Sequence, residues 1–96
     1  MPAYVFINFD VVDAQRQAAL VPRFQEALKA AGGRMVIMGG VVDTLEGDVP
    51  PYTRAGVLEF PTVEAAQAFY RSDDYAPIRA ERAVAQRARM FIVSAG

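Results

Sequence analysis

The chain has 96 residues, 53% of them hydrophobic and 22% charged, with ten Lys and Arg against eleven Asp and Glu for a formal charge of −1. This is the length and composition of one folded domain and not of a disordered segment. There is no Cys, His or Trp, which excludes disulfide frameworks, thiol chemistry, Cys/His zinc sites, His-ligated haem and any catalysis that needs an imidazole.

The longest uninterrupted apolar stretch runs from Met35 to Val42, far short of the about 20 residues of a bilayer-spanning helix. The Met-Pro-Ala-Tyr-Val start has neither a basic n-region nor a signal-type cleavage site. A cytoplasmic protein with no membrane partner is expected. Arg71, Arg79, Arg82, Arg87 and Arg89 make the last quarter locally basic, but Asp73, Asp74 and Glu81 interrupt the run. Such a balanced chain neutralises few phosphates, so no nucleic-acid partner is expected.

Residues 3–9 are β-branched and aromatic and predict a strand. Asp10 to Asp13 turn the chain into a helix over about 14–31, where Leu20, Phe24, Leu28 and Ala31 make one apolar stripe. Pro22 lies inside it and either kinks it or opens its second half. Gly32-Gly33 stops it. A long strand follows from Arg34 to about Leu45, with Gly39-Gly40 marking a bulge or a close approach to the backbone. Glu46 to Thr53 is a loop by its Gly and Pro content, and Arg54 to Phe60 returns as a third strand. Thr62 caps a helix over 63–71. Ser72, Asp73 and Asp74 break it and re-cap a second segment over about 75–86, with Pro77 in its first turn. Ala88 to Ala95 closes as a fourth strand.

This order predicts an α+β chain of the ferredoxin-like βαββαβ type, a four-stranded antiparallel sheet with its helices on one face, as a single domain over 1–96. Such a sheet should alternate apolar and polar residues. Instead Val5-Phe6-Ile7, Met35-Val36-Ile37-Met38 and Met90-Phe91-Ile92-Val93 are apolar on both faces. A second copy stacked sheet on sheet is the simplest cover, so the expected partner is the chain itself, as a homodimer.

Gly39-Gly40, Leu45-Glu46-Gly47, Pro51, Arg54, Leu58-Glu59-Phe60-Pro61, Glu64-Ala65-Ala66, Tyr70, Ser72, Tyr75 and Arg82 resemble domain-of-unknown-function family thirteen-thirty. The likeness extends to the Met-Pro-Ala-Tyr start and the Gly32-Gly33-Arg34 turn. It implies a dimeric α+β barrel built by stacked sheets, and no established reaction. The first helix departs from the family pattern, with Asp13-Ala14 and Gln17 where Asp-Pro and a Tyr are usual.

Glu59 is the leading candidate for chemistry. Leu58 and Phe60 flank it, and Ala55 and Val57 share its face. A carboxylate buried among them would have a raised pKa, suited to a catalytic acid or base. The alternative is a structural ion pair with Arg54, Arg34 or Arg82, since buried charges are normally paired. Arg54 and Arg82 could also hold a carboxylate or phosphate, or lie at the surface or an interface. Tyr4 and Asn8 share one parity of the first strand and suit a ligand cleft or a dimer face. Tyr70 and Tyr75 are expected to pack the helix pair. Asp43, Glu46 and Asp48 lack the number and spacing of a hard-cation site, so no metal is expected. No cofactor motif is present: the glycine pairs lack a phosphate-loop context, and Ser72 and Ser94 have no elbow motif. The RNA-recognition module shares the element order, but the strand Arg54–Phe60 has one aromatic and an acid that would repel phosphate.

Two functions follow. One is a dimer that binds or transforms a small metabolite, with Glu59 as acid or base and Tyr4, Asn8, Arg54 and Arg82 as ligand contacts. The other is a non-enzymatic dimeric module whose polar residues are structural ion pairs.

Overall fold

The computed structural model describes residues 1–47 and 52–95. The elements are β1 (Ala3–Val11), α1 (Ala14–Ala30), β2 (Arg34–Gly40), β3 (Arg54–Phe60), α2 (Val63–Arg71), α3 (Ala76–Ala85) and β4 (Gln86–Ser94). The strands form one antiparallel sheet in the order β2-β3-β1-β4. This is the expected ferredoxin-like arrangement, its second helical segment divided into α2 and α3.

Local chemistry sets the boundaries. The Asp13 carboxylate accepts from the Arg16 amide at 3.0 Å and caps α1, which runs unbroken through Pro22. Its end is a Schellman turn: Gly32 takes φ +81°, Gly33 N–H donates to Leu28 C=O at 3.0 Å and Gly32 N–H to Lys29 C=O at 3.1 Å. Thr62 Oγ1 accepts from the Ala65 amide at 3.0 Å and caps α2. The Ala85 carbonyl at the end of α3 accepts from Val12 and Asp13 at 2.9 and 3.0 Å, tying the β1–α1 corner to the start of β4.

The second strand is shorter than the sequence suggests. Its ladder ends where Gly40 meets Arg54, and 41–45 are exposed loop, with Leu45 92% exposed. Beyond that rung the Val41 amide still donates to Thr53 C=O at 2.8 Å, but 42–45 continue without strand structure, so apolar character alone does not extend the strand. The irregularity of β2 falls between Met35 and Ile37 and not at the glycine pair, and nothing lies within 4 Å of a Cβ built on Gly39. The expected loop 46–53 lies in part outside the described residues, as do Asp48 and Pro51.

All helices cover one face of the sheet. There Val5, Ile7 and Phe9 of β1 and Leu58 and Phe60 of β3 pack against Leu20, Phe24 and Leu28 of α1, Phe69 of α2 and Ile78 of α3. Tyr75, fully buried, packs against Phe69 with ring centroids 4.6 Å apart and planes tilted by 46°.

Among the described residues no helix covers the other face, and the strand register arranges it in rows. Arg34, Glu59, Tyr4 and Val93 form the first row; Ile37, Val57, Phe6 and Phe91 the second; Gly39, Ala55, Asn8 and Arg89 the third. Phe6 and Phe91 stack with centroids 5.4 Å apart and planes 6° from parallel. Ile37 is 62% exposed and Phe91 44%. The described chain measures 35 × 32 × 17 Å, and the short dimension is one sheet plus one helix layer.

Candidate functional site

The sheet separates the expected site residues. Tyr4, Asn8 and Glu59 lie on the open face, whereas Arg82 lies under the helices and Arg54 borders that side. Tyr4 and Glu59 do meet: the phenol donates to Glu59 Oε2 at 2.9 Å. Arg34 Nε donates to Glu59 Oε1 at 2.6 Å. Of the three arginines considered as partners, Arg34 is therefore the one that pairs with Glu59. The hydrogen bonds from Arg34 and then Tyr4 hold the Glu59 carboxyl below its usual range, outweighing desolvation. This reverses the expected raised pKa, because cross-strand partners supply donors that neighbours on the same strand do not. The Tyr4 phenol is pushed up by the same hydrogen bond to the carboxylate.

Asn8 Oδ1 accepts from Arg89 Nε at 3.0 Å. One row further, Asp10 accepts from Arg87 Nη2 at 2.5 Å, from the Thr53 amide at 2.6 Å and from the Thr53 hydroxyl at 2.8 Å. Those bonds, the Thr53 ones foremost, lower the Asp10 carboxyl pKa and fasten the returning chain to β1. Arg54 is exposed, with its guanidinium carbon 5.8 Å from the Phe9 ring centroid.

Arg82 is the unexpected residue. It does not project into solvent as a surface or interface arginine; it is 9% exposed, in line with the buried residues Ile78 and Ala85 of α3. Its spacing from those two was the available signal, a charge set inside an apolar stripe. Nε and Nη2 donate to Gln86 Oε1 at 3.3 and 3.2 Å, and Nη1 donates to the Tyr75 hydroxyl at 3.0 Å and to the Met90 sulfur at 3.4 Å. Gln86, also buried, donates to Gln17 Oε1 at 2.8 Å. Burial raises the Tyr75 pKa above its ordinary value, the nearby guanidinium opposing, so the phenol beside Arg82 stays neutral. Ser72 fixes the approach to α3 by donating to Phe69 C=O at 2.9 Å and accepting from the Tyr75 amide at 3.2 Å. Tyr75 packs the helices as expected, and Tyr70 lies against it with centroids 5.7 Å apart and planes tilted by 45°.

This polar chain borders two hollows. The larger, about 680 Å³, opens beside the edge strand β4, with Phe69 of α2 and Ala83 of α3 in its wall and Met90 and Ile92 in its floor. Arg71, Arg79 and Gln67 stand around it and Arg82 and Gln86 reach it from inside. The smaller, about 390 Å³, lies between α1 and the sheet and is bordered by Gln17, Arg54, Arg82 and Gln86. Glu59 borders neither. Among the described residues no three acidic side chains gather as a metal site, and no helix is long and apolar enough to cross a membrane.

The fold is shared with solved structures at low identity. A protein of unknown function from Rhodopseudomonas palustris is 18% identical with a TM-score of 0.79, over 96% of this chain and 80% of that one. SnoaB, a cofactor-independent oxygenase from Streptomyces nogalater, is 9% identical with a TM-score of 0.68, over 99% and 93%. A dimeric protein of unknown function with a ferredoxin-like fold from Bacteroides fragilis is 14% identical with a TM-score of 0.60, over 97% and 95%. No curated protein matches the sequence. The family model described as a domain of unknown function, DUF1330, matches residues 2–95. The chain belongs to the DUF1330 family.

Proposed function

We propose that this protein is a homodimer whose subunits stack through their open sheet faces, each binding a small molecule in the cleft bounded by α2, α3 and β4. One observation carries the binding reading: buried Arg82 and Gln86 converge at the base of a mainly apolar hollow of about 680 Å³. Small-molecule sites combine such concavity with a few placed polar groups and occupy roughly 300–1,000 Å³. The dimer reading rests on exposed Ile37, Phe91 and Val93 on the bare face, and is supported by the dimeric fold neighbour from Bacteroides fragilis. That a cofactor-independent oxygenase shares the fold supports a small organic ligand, but fold likeness assigns no reaction.

In this reading Glu59 and Tyr4 serve assembly and not acid–base chemistry. The carboxylate is engaged by Arg34 and Tyr4 and faces the proposed partner subunit. Those same pairs favour the second reading, a purely structural dimer without a ligand.

A melting-temperature screen with small organic compounds separates the two. A ligand specific to the folded state at 100 times its Kd adds about 2.7 kcal/mol. Ala83→Trp, which fills the cleft from an exposed position on α3, should remove that stabilisation. A screen with no stabilising compound, or stabilisation unchanged by Ala83→Trp, contradicts the cleft reading.

A further inference from the structure

We propose that the α2–α3–β4 cleft selects an organic oxyanion, a carboxylate or phosphate on an apolar body, seated on the buried guanidinium of Arg82. This rests on the cleft being a ligand site and adds the chemical class of the ligand.

Among the described residues, every hydrogen-bond partner of Arg82 is neutral: an amide oxygen, a phenol and a thioether. No carboxylate lies within 4.0 Å of it among the described residues, whose ion pairs involve Arg16, Arg34 and Arg87. Burying a guanidinium without a counter-charge is costly, and neutral acceptors satisfy its N–H groups without offsetting its charge. Tyr75 does not supply the missing anion, because its phenol stays protonated. An incoming anion would do so.

The surroundings agree. Arg71, Arg79 and Arg82 all border this hollow and, among the described residues, no Asp or Glu does, although the whole chain carries a net charge of −1. Arg79 is held in place, its Nη1 donating to Tyr70 C=O at 2.7 Å with the guanidinium carbon 5.3 Å from the Tyr70 ring centroid.

The donor geometry leaves room for a ligand. Four hydrogen bonds occupy four of the five N–H groups of a guanidinium. The fourth acceptor is the Met90 sulfur at 3.4 Å, the weakest of the set, and Met90 borders the cleft. An oxyanion entering there can replace the sulfur contact with charge-assisted bonds. Val5, Phe69 and Ile92 offer apolar surface to the rest of the molecule.

The test uses calorimetric titration of the full chain with sodium benzoate, phenyl phosphate, and the uncharged analogues benzamide and benzyl alcohol. Benzoate or phenyl phosphate should bind at least tenfold more tightly than the neutral probes, and the stronger of the two identifies the head group. Arg82→Gln should erase that preference, and Arg82→Lys should retain part of it. Arg71→Gln with Arg79→Gln, both outside the core, should weaken anion binding severalfold in a chain that still folds. Equal binding of benzoate and benzamide to the wild-type chain overturns the oxyanion class and leaves the cleft reading standing. Failure of all four probes at millimolar concentration overturns both.

Discussion

Arg34 and Glu59 face each other across the β2–β3 ladder, with Nε donating to Oε1 at 2.6 Å. This pair contributes to the acid response of the protein. A carboxyl held below its unfolded value of 4.5 by Arg34 and Tyr4 stabilises the fold fully above that value. The contribution is lost as pH falls through the lower folded value, because the unfolded chain binds the proton first. Asp10 acts in the same sense from its unfolded value of 3.8. Melting temperature should therefore fall between about pH 6 and about pH 3. Glu59→Gln should melt lower at neutral pH and show a shallower acid limb. A variant with an unchanged acid limb contradicts this role.

The stacked-sheet dimer predicts what charge on the bare face will do. Val57 and Phe91 sit in its central row, with Phe91 stacked on Phe6. Loss of a central aromatic anchor weakens an interface by about 2 kcal/mol or more, on the order of thirtyfold in dissociation constant. Val57→Lys with Phe91→Lys should sediment as the 10.5 kDa chain where the wild type sediments at twice that mass. A wild-type chain that is monomeric at micromolar concentration contradicts the dimer.

Gly33 is required for packing. A Cβ there would lie 2.6 Å from Leu28 Cδ1 and 2.7 Å from Phe60 Cε1, and Phe60 is fully buried and cannot move aside. Gly33→Ala should cost about 1–3 kcal/mol, as overpacked cores do. Its urea midpoint should drop with little change in slope.

The Thr62 side chain contributes through its Oγ1, which accepts from the Ala65 amide in the first turn of α2. Thr62→Ala should cost about 1 kcal/mol, and Thr62→Ser should recover most of it. Equal melting temperatures for the three chains would show that the cap adds nothing.

The sequence made local features legible. Of the stripe Leu20, Phe24, Leu28 and Ala31, the first three are buried as their spacing predicts and Ala31, past the last turn at the C-cap, is exposed, while the Gly32-Gly33 stop and Thr62 cap behave as their chemistry requires. The apolar residues on both sides of the strands do lie on two faces, with Val5 and Ile7 in the core and Phe6 on the bare side. What the sequence leaves open depends on register: Arg34 is one of three arginines it offers to Glu59, and the strand pairing selects it and adds Tyr4. Glu59 takes its environment from Tyr4, 55 positions away, and Arg34, 25 positions away. Neither is visible among its own strand neighbours. The burial of Arg82 does not follow from its charge, which on a helix is usually solvated, although Ile78 and Ala85 mark its turn of α3 as buried.

In the proposed function, ligand chemistry lies on the helix side of the sheet, at Arg82, and not at Glu59. Backbone amide shift mapping during titration with sodium benzoate tests this most directly. Perturbations should concentrate at Gln67, Ala83, Gln86 and Met90, the residues around the cleft, and Tyr4, Arg34 and Glu59 should stay unmoved. Shifts centred on Tyr4, Arg34 and Glu59 with a silent cleft would contradict it.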